Sequence, residues 1–340
     1  MKTQSAGHNK RLLIYIPCHK DYEMAVKSAL KLGNEFSTGA DFGIDIEIQI
    51  SINGVEKIEG VAGIPYTSII HTRSVIGADA NICGGFLSAL RSEPDYLWIL
   101  SANEILASDT LKNLDTLIEN HPECELFVAN SDSRQGVLEL DNVFLDVPSK
   151  LGLGLISGVV YQFNATKNSY PQAVLFNWLG WGQLAVIQNY LSSTSKPLVR
   201  EFPDSQIYAK PFTYTPLPNQ AKSEREIVRN LYTHSFFGLP VLAFCLLGDD
   251  KKKLRRFQLR WIALNWYKIN LFSKNLVFGD ELTLQRTRWI FWLCRSSFKL
   301  TSVPGFLFRV CGLLPVEKLQ QLHTAESLLS MYKKKVAKNV

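Results

Sequence analysis

The chain has 340 residues, of which 46% are hydrophobic and 20% are charged, a balance that excludes an intrinsically disordered protein. This length suffices for one large domain or two ordinary ones. The net charge of +6 is unevenly distributed: residues 221–340 carry 21 Lys and Arg against 8 Asp and Glu, a charge of +13, whereas residues 1–220 carry −7. The opposite signs predict a domain boundary near 220 and an anionic partner for the C-terminal part.

The N-terminal residues lack the features of a signal peptide. The apolar run LLIYIP is too short for the hydrophobic segment of such a peptide, and no small-residue cleavage site follows it. The six cysteines are scattered, with no CxxC pair and no Cys/His metal spacing. These features predict a cytoplasmic protein with reduced cysteines.

Strands and helices are expected to alternate from the N-terminus onwards. Short apolar runs rich in β-branched and aromatic residues predict strands at 11–17, 44–54, 67–72, 96–100 and 125–130. Apolar residues at helical spacing predict helices between them, including 77–92 and 108–121, the latter with Ser108 as its N-cap. Further strands are expected within 137–165, and GWGQLAVIQNYL is expected to be an apolar helix. The alternation predicts an α/β fold with a mainly parallel sheet.

The C-terminal part has a different character. Its 13-residue apolar run at 236–248 is shorter than the roughly 20 residues that a membrane-spanning helix needs. The basic cluster KKKLRRFQLRW follows, and then come Trp261, Trp266, Trp289 and Trp292. Lys and Arg combined with Trp on amphipathic helices are typical of helices that lie on a membrane surface. A helical subdomain with a solvated basic face explains the pattern equally well.

Ligands of parallel α/β sheets bind at the carboxyl ends of the strands, so the turns after the predicted strands are the candidate site. These turns read PCHKD, SINGV, SANE and ANSDS. In their order and spacing, together with the helix segment GADANI and the stretch DYLWILSANEILASDTL, they resemble the family 2 glycosyltransferases of the GT-A fold. The resemblance covers residues 10–165 and is greatest to the bacterial enzymes that build O-antigen and capsule.

This resemblance implies an inverting transfer of a sugar from a nucleotide-sugar donor to a lipid-linked saccharide in bacterial surface polysaccharide biosynthesis. It implies a Rossmann-like GT-A domain over 1–220 and a basic, mostly helical region over 221–340 at the cytoplasmic face of the inner membrane. In the family, acidic side chains hold Mg²⁺ or Mn²⁺ against the donor diphosphate, and an acidic base deprotonates the acceptor hydroxyl. Nucleic acid is not an expected partner, because no reader motif accompanies the basic cluster.

The matching positions predict a donor site. Its expected residues are Pro17, His19, Asn53, Asp79, Asn103 and Glu104. The family's Asp-x-Asp positions fall on Ala102 and Glu104, which makes Glu104 the expected metal ligand, and Ile52 replaces an aspartate that contacts the base or ribose. Simpler interpretations remain open, since Pro17 also ends a strand, Asn53 also makes a tight turn and Asp79 is also a helix-start acid.

The expected catalytic base has no clear counterpart. No Asp or Glu occurs between Asp146 and Glu201, so Asp132 and Asp204 are the nearest substitutes, and either also serves as an ordinary loop acid. Trp178 and Trp181 are expected to stack on an acceptor sugar, with core packing as the alternative. The missing acids leave a second hypothesis, a catalytically degenerate relative that binds a sugar or a partner protein in the same pathway.

Overall fold

An eight-stranded sheet forms the centre of the fold. Its strands are β1 (Lys10–His19), β2 (Ile44–Asn53), β3 (Thr67–Thr72), β4 (Tyr96–Ile99), β5 (Leu126–Asn130), β6 (Gly136–Val137), β7 (Val159–Gln162) and β8 (Val199–Pro203). The computed structural model describes residues 9–19, 22–39, 42–58, 61, 63–130, 135–138, 140, 143–146, 153, 155–209, 234–258 and 261. Within them the strand order is β3-β2-β1-β4-β7-β5-β8-β6.

Six of the eight strands run in one direction. β1 pairs in parallel with both β2 and β4, β2 pairs in parallel with β3, and β5 pairs in parallel with β8. β7 is antiparallel to both β4 and β5, so β5 has the direction of β4, while β6 is antiparallel to β8. The predicted α/β class with a mainly parallel sheet is therefore confirmed.

The helices of the described residues lie between and after these strands. They are α1 (Glu23–Thr38), α2 (Ala78–Ser92), α3 (Thr110–Asn120), α4 (Val143–Asp146), α5 (Phe163–Thr166), α6 (Tyr170–Leu175), α7 (Gly182–Ser193) and α8 (His234–Leu247). α1 shows how the sequence specifies the packing, because Ala25, Ala29 and Leu32 recur at helical spacing and are fully buried. β1 is central, and its residues Leu12 to Ile16 are buried on both faces, as a near-continuous apolar run requires.

The start of α3 corrects a prediction. Ser108 is not the N-cap: α3 begins at Thr110 after Asp109, and the Ser108 hydroxyl donates to the Asp109 carboxylate at 3.0 Å. A carboxylate oxygen of Glu35, in α1, accepts the amides of Leu111 at 2.7 Å and Lys112 at 3.1 Å instead. The free N–H groups of the first turn are thus bonded by another helix, a contact that local sequence does not reveal.

The segment 137–165 is less strand-rich than expected. Of the run LISGVVYQF, only Val159–Gln162 forms a strand, and a 3₁₀ helix, Ile156–Gly158, precedes it. α5 begins directly after the strand. The run is apolar because β7 is buried between β4 and β5. β7 is as long as β4, and the two strands pair over three residues.

The chain divides into two compact units. One comprises Met1–Trp178 and Gly182–Thr215, and the other comprises Leu179–Trp181 and Pro216–Val340. The predicted boundary at 220 stays a prediction, because it lies outside the described residues.

The described part of the second unit is helical. Its α8 contains the expected apolar run except for the last residue, Gly248, and residues 251–258 form a further helical segment. A side chain at Gly238 of α8 would collide with the backbone of Leu179, so this approach requires glycine. No helix among the described residues is both long and apolar enough to cross a membrane.

Candidate functional site

The shared direction of six strands brings several predicted residues to one edge of the sheet. β1 ends at His19, β2 ends at Asn53, and the turn that carries Glu104 follows β4. β8 ends at Pro203, so Asp204 follows it at the same edge. This carboxyl edge is where ligands bind in open parallel sheets.

A hydrogen-bonded chain joins the ends of β1 and β2. Asn53, which is fully buried, donates through Nδ2 to the carbonyl of Cys18 at 3.0 Å, so its Oδ1 is the acceptor. This oxygen lies 2.8 Å from Nδ1 of His19. The pairing therefore requires the proton on Nδ1 of His19 and leaves Nε2 as the second polar atom of an exposed ring.

Gly54 closes this turn in a conformation that favours glycine. Its φ is +78°, and an added Cβ would lie 2.6 Å from the His19 ring and 3.2 Å from a methyl group of Val75. The amide of Gly54 donates to the carbonyl of Thr72 at 3.1 Å, which ties the turn to β3. Backbone conformation and space both require glycine here, and the His19 ring lies directly over it.

Pro17 does not end its strand, as the alternative interpretation held. β1 continues for two residues beyond it, paired with β2. The carbonyl of Tyr15 accepts from Leu100, and β4 ends at Ile99. Alternate residues of a parallel strand bond to the same neighbouring strand, so Pro17 faces the same side as Tyr15, towards β4. Because β4 has already ended at this level, the lack of an N–H group in Pro17 leaves no hydrogen bond of the sheet unformed.

The start of α2 is held against the same strand ends. Asn81 is buried and donates through Nδ2 to the carbonyls of Cys18 at 3.1 Å and Ser51 at 3.2 Å. Its Oδ1 accepts from the hydroxyls of Ser51 at 2.6 Å and Tyr15 at 3.3 Å. This saturated amide fixes the helix, whereas Asp79, two residues earlier and half-buried, is the residue of α2 with a carboxylate near the edge.

Glu104 lies in the turn after β4, with Asn103 exposed and Ala102 buried beside it. Oε1 of Glu104 accepts from the hydroxyl of Ser157 at 3.3 Å. Burial raises the pKa of the Glu104 carboxyl, and the hydrogen bond from Ser157 offsets part of that rise. The turn therefore presents one carboxylate that is partly desolvated and held in place.

Ser157 is a site residue that the sequence reasoning missed. Its carbonyl accepts from Nε1 of Trp98 at 2.9 Å and from the hydroxyl of Tyr208, and its own hydroxyl accepts from the amide of Ser101 at 3.1 Å. No motif marks it, because its partners are 50 to 60 residues away in the chain. The Ser-Gly pair at the start of a β-rich run was the available signal, as a turn before a strand.

Asp204 belongs to the same neighbourhood. Burial raises the pKa of the Tyr208 phenol well above its usual range, and the carboxylates of Glu104 and Asp204 add to the rise. Both carboxylates thus act on one phenol. The Asp204 side chain is 2% exposed, and its carbonyl accepts the amides of Ile207 at 3.0 Å and Tyr208 at 2.8 Å.

The segment that carries Asp204 and Tyr208 is fastened to the turn that carries Glu104. The amide of Ala107 donates to Ile207 at 2.8 Å, and the amide of Ala209 donates to Ile105 at 2.8 Å. These bonds flank an isolated antiparallel bridge between Leu106 and Tyr208. Backbone hydrogen bonds therefore join the turn that carries Glu104 to the segment that carries Asp204, at the carboxyl edge of the sheet.

The remaining predicted residues are not brought into this cluster by the described contacts. Asp132 lies outside the described residues. Trp178 stands in the short 3₁₀ helix Asn177–Leu179, in the first unit, and the half-buried Trp181 belongs to the second. Their stacking on an acceptor sugar stays a prediction.

The residues at the edge fit a metal ion only if a ligand completes its shell. Within the described residues, no group of three or more His, Cys, Asp or Glu side chains is arranged to hold one. Glu104 offers one carboxylate and Asn103 an amide oxygen, while Ala102 offers none. Mg²⁺ is commonly held by one or two carboxylates together with substrate phosphates, so this donor set fits an ion that a diphosphate completes.

Comparisons with known proteins find likeness in fold and not in sequence. No protein-family model matches the chain, and no curated protein sequence matches it. Among solved structures, S. aureus TarS is similar over 92% of this chain and 55% of its own, with 8% identity and a TM-score of 0.50. TarS residues 1–349 in complex with UDP-GlcNAc match over 95% of this chain and 92% of that one, at 9% identity and a TM-score of 0.49. At such low identity the likeness shows a shared fold alone.

Proposed function

We propose that this chain is a glycosyltransferase that moves a sugar, with inversion, from a nucleotide-sugar donor to a lipid-linked saccharide in bacterial surface polysaccharide biosynthesis. The observation that carries the proposal is the meeting of the strand-end turns. The turns that resemble the donor site of family 2 glycosyltransferases end neighbouring parallel strands at one edge, and a hydrogen bond joins His19 to Asn53 across two of them.

Glu104 and Asn103 are the donor-side residues in this proposal. Glu104 would hold a divalent cation, Mn²⁺ or Mg²⁺, against the donor diphosphate, and the cation would stabilise the charge that the departing nucleotide carries. Ser157 orients the Glu104 carboxylate through its hydroxyl, 3.3 Å away. His19, with its Nδ1 proton committed to Asn53, has Nε2 available to the nucleotide, while Asp79 supplies a second polar contact from α2.

The reaction also needs a general base that takes up the proton of the attacking hydroxyl. The acceptor hydroxyl attacks the anomeric carbon as the carbon–oxygen bond to the diphosphate breaks, and its proton passes to a carboxylate. Asp204 is the described acid that shares the neighbourhood of Glu104, because both act on Tyr208. Asp132 is the alternative base.

The first experiment measures transfer or hydrolysis of labelled nucleotide sugars with Mn²⁺. UDP-GlcNAc heads the panel, because one TarS structure holds it. Replacing Glu104 by Gln removes the one carboxylate of its turn, so Glu104→Gln is expected to lower kcat/KM at least about 100-fold. The matched control is Glu123→Gln, which removes an exposed carboxylate just before β5, at the opposite edge. Equal rates for wild type and Glu104→Gln would remove the role assigned to Glu104.

A second candidate function is favoured by the scarcity of acids. Ala102 and Ile52 stand where the family has aspartates, and the described residues contain no three-ligand metal cluster. A degenerate relative of the same fold would bind a sugar or partner protein without catalysis. Calorimetric titration with UDP, GDP and dTDP, each with Mn²⁺, separates the two: metal-dependent micromolar binding supports the enzyme, and no binding by any of them supports the binding module.

A further inference from the structure

The helical segment 251–258 of the second unit carries a row of exposed cations. Lys251, Lys252, Arg255 and Arg256 are exposed, and their spacing of one, four and five residues places them on one side of a helix. We call these four residues the cationic face. Leu254, Phe257 and Trp261 are 7%, 2% and 5% exposed, so the apolar side of the segment is already covered within the protein.

The cationic face opposes the electrostatics of its own helix. Asp250 stands at the start of the segment, where its Oδ1 accepts the amides of Lys252 at 3.1 Å and Lys253 at 2.9 Å. Its Oδ2 lies 3.9 Å from the Lys253 ammonium. The positive end of a helix dipole favours acids in the first turn, yet Lys251 and Lys252 stand there. Asp250 offsets part of this unfavourable charge, and positions that break a local preference occur mainly at functional sites.

The four charges also lack counter-ions in the part of the chain that the structure describes. No described carboxylate lies within 4.0 Å of Lys251, Lys252, Arg255 or Arg256. Within the described residues, an anionic partner would therefore meet four exposed cations that have no carboxylate partner and would break no ion pair of these cations. Proteins that bind single-stranded nucleic acids commonly stack aromatic side chains on the bases, but Phe257 and Trp261 of this segment are buried.

We propose that the cationic face of residues 251–256 binds the phosphate headgroups of an anionic bilayer by charge alone, without inserting the aromatic residues of its own segment. The burial of Phe257 and Trp261 separates this mode from the amphipathic insertion that the sequence suggested. The inference rests on the proposed function in one respect, since a lipid-linked acceptor places the enzyme at a membrane. It names the surface that docks there.

The test is co-sedimentation of the full chain with vesicles of phosphatidylcholine containing 30% phosphatidylglycerol, and with vesicles of phosphatidylcholine alone. Each cation near an anionic surface strengthens binding about fivefold. The variant Lys251→Gln/Lys252→Gln/Arg255→Gln/Arg256→Gln is therefore expected to lose at least about 100-fold in partitioning. The control Lys27→Gln/Arg91→Gln/Lys112→Gln/Lys196→Gln removes four exposed cations from the first unit and is expected to partition like wild type.

Binding by charge alone is expected to require phosphatidylglycerol and to be lost in 500 mM NaCl, because surface charges are screened within about 3–5 Å at that ionic strength. A salt-resistant bound fraction, equal losses in the two quadruple variants, or tighter binding to duplex DNA than to the vesicles would each overturn the proposal. Circular dichroism of the variants checks that they are folded. Nucleotide binding measured on the same variants is expected to be unchanged, so failure of the donor site and failure of the docking surface are distinguishable.

Discussion

At the scale of single residues, Ser157 links several parts of the candidate site through its hydrogen bonds. Trp98 and Tyr208 hold its carbonyl, the Ser101 amide holds its hydroxyl oxygen, and the same hydroxyl donates to Glu104. The residue is 2% exposed, so these bonds are shielded from water. Residues that orient a ligand-binding group are commonly worth a factor of 10 to 100 in affinity or activity.

Ser157→Ala is therefore expected to lower kcat/KM with the active nucleotide sugar about 10- to 100-fold. Because the loss acts through Glu104, it is expected to shrink severalfold or more when Glu104→Gln is already present. Ser157→Thr keeps a hydroxyl and is expected to restore the larger part of the activity. The measurement is a double-mutant cycle in kcat/KM, with thermal unfolding of each variant as the check on folding.

A purely structural role of Ser157 predicts different results in the same measurements. In that case Ser157→Ala lowers the melting temperature, and its effect on kcat/KM is the same with and without Glu104→Gln. Fully additive losses would therefore remove the positioning role.

At the scale of elements, the junction of α3 with the start of β2 contains a buried carboxyl. Asp115 of α3 is 8% exposed; its Oδ2 accepts the amide of Gly43 at 3.1 Å, and its Oδ1 has no hydrogen-bond partner. Burial raises the pKa of the Asp115 carboxyl, and the nearby Glu119 carboxylate adds to the rise. The raised pKa means that ionised Asp115 destabilises the folded state, so stability is lost as pH rises from the unfolded pKa through the folded pKa.

Asp115→Asn is expected to raise the melting temperature at pH 7.5, because it removes a buried charge while keeping an oxygen for the Gly43 amide. A gain of about 1 kcal/mol corresponds to about 2–4 °C for a unit of this size. At pH 4 the gain is expected to diminish, since the wild-type carboxyl is increasingly protonated there. Thermal unfolding at both pH values measures it, with the exposed Glu56→Gln as control. A gain that grows towards acid pH would contradict the prediction.

The elements also show where local patterns suffice. β1, β2 and α2 follow from apolar runs and helical spacing, because their burial repeats at short intervals along the chain. The start of α3 and the segment 137–165 did not follow. Glu35 bonds the first turn of α3 from another helix, and Ile156–Gly158 takes a 3₁₀ conformation that orients Ser157, so both depend on residues far away in the sequence.

At the scale of the whole molecule, binding of a nucleotide at the proposed donor site is expected to raise the stability of the folded protein. A ligand that binds only the folded state stabilises it by about 2.7 kcal/mol at 100 times its Kd. The nucleotide that the chain prefers, with Mn²⁺, is therefore expected to raise the melting temperature by about 5 °C or more in calorimetry. Glu104→Gln is expected to lose most of that increase, and Glu123→Gln to keep it. An equal increase in both variants would place nucleotide binding away from Glu104.

The sequence by itself determined the α/β class, the mainly parallel arrangement of the strands and the edge of the sheet at which a ligand is expected. These follow from hydrophobic periodicity and from the alternation of strands and helices, which short segments of the chain specify. It also determined the uneven charge of the two ends of the chain, which is a matter of composition. The predicted donor residues at the ends of β1, β2 and β4 lie at that edge because parallel strands share one direction.

Only the tertiary structure decided how those residues are held. The tautomer of His19 depends on Asn53 across a strand pair, the carboxylate of Glu104 depends on Ser157, and Asp204 reaches the same neighbourhood through β8. Only the fold could show that Phe257 and Trp261 are buried while the cations beside them are exposed. The physical reason is common to all of these: hydrogen bonds and burial join residues that are distant in sequence, and periodicity carries no information about such pairs.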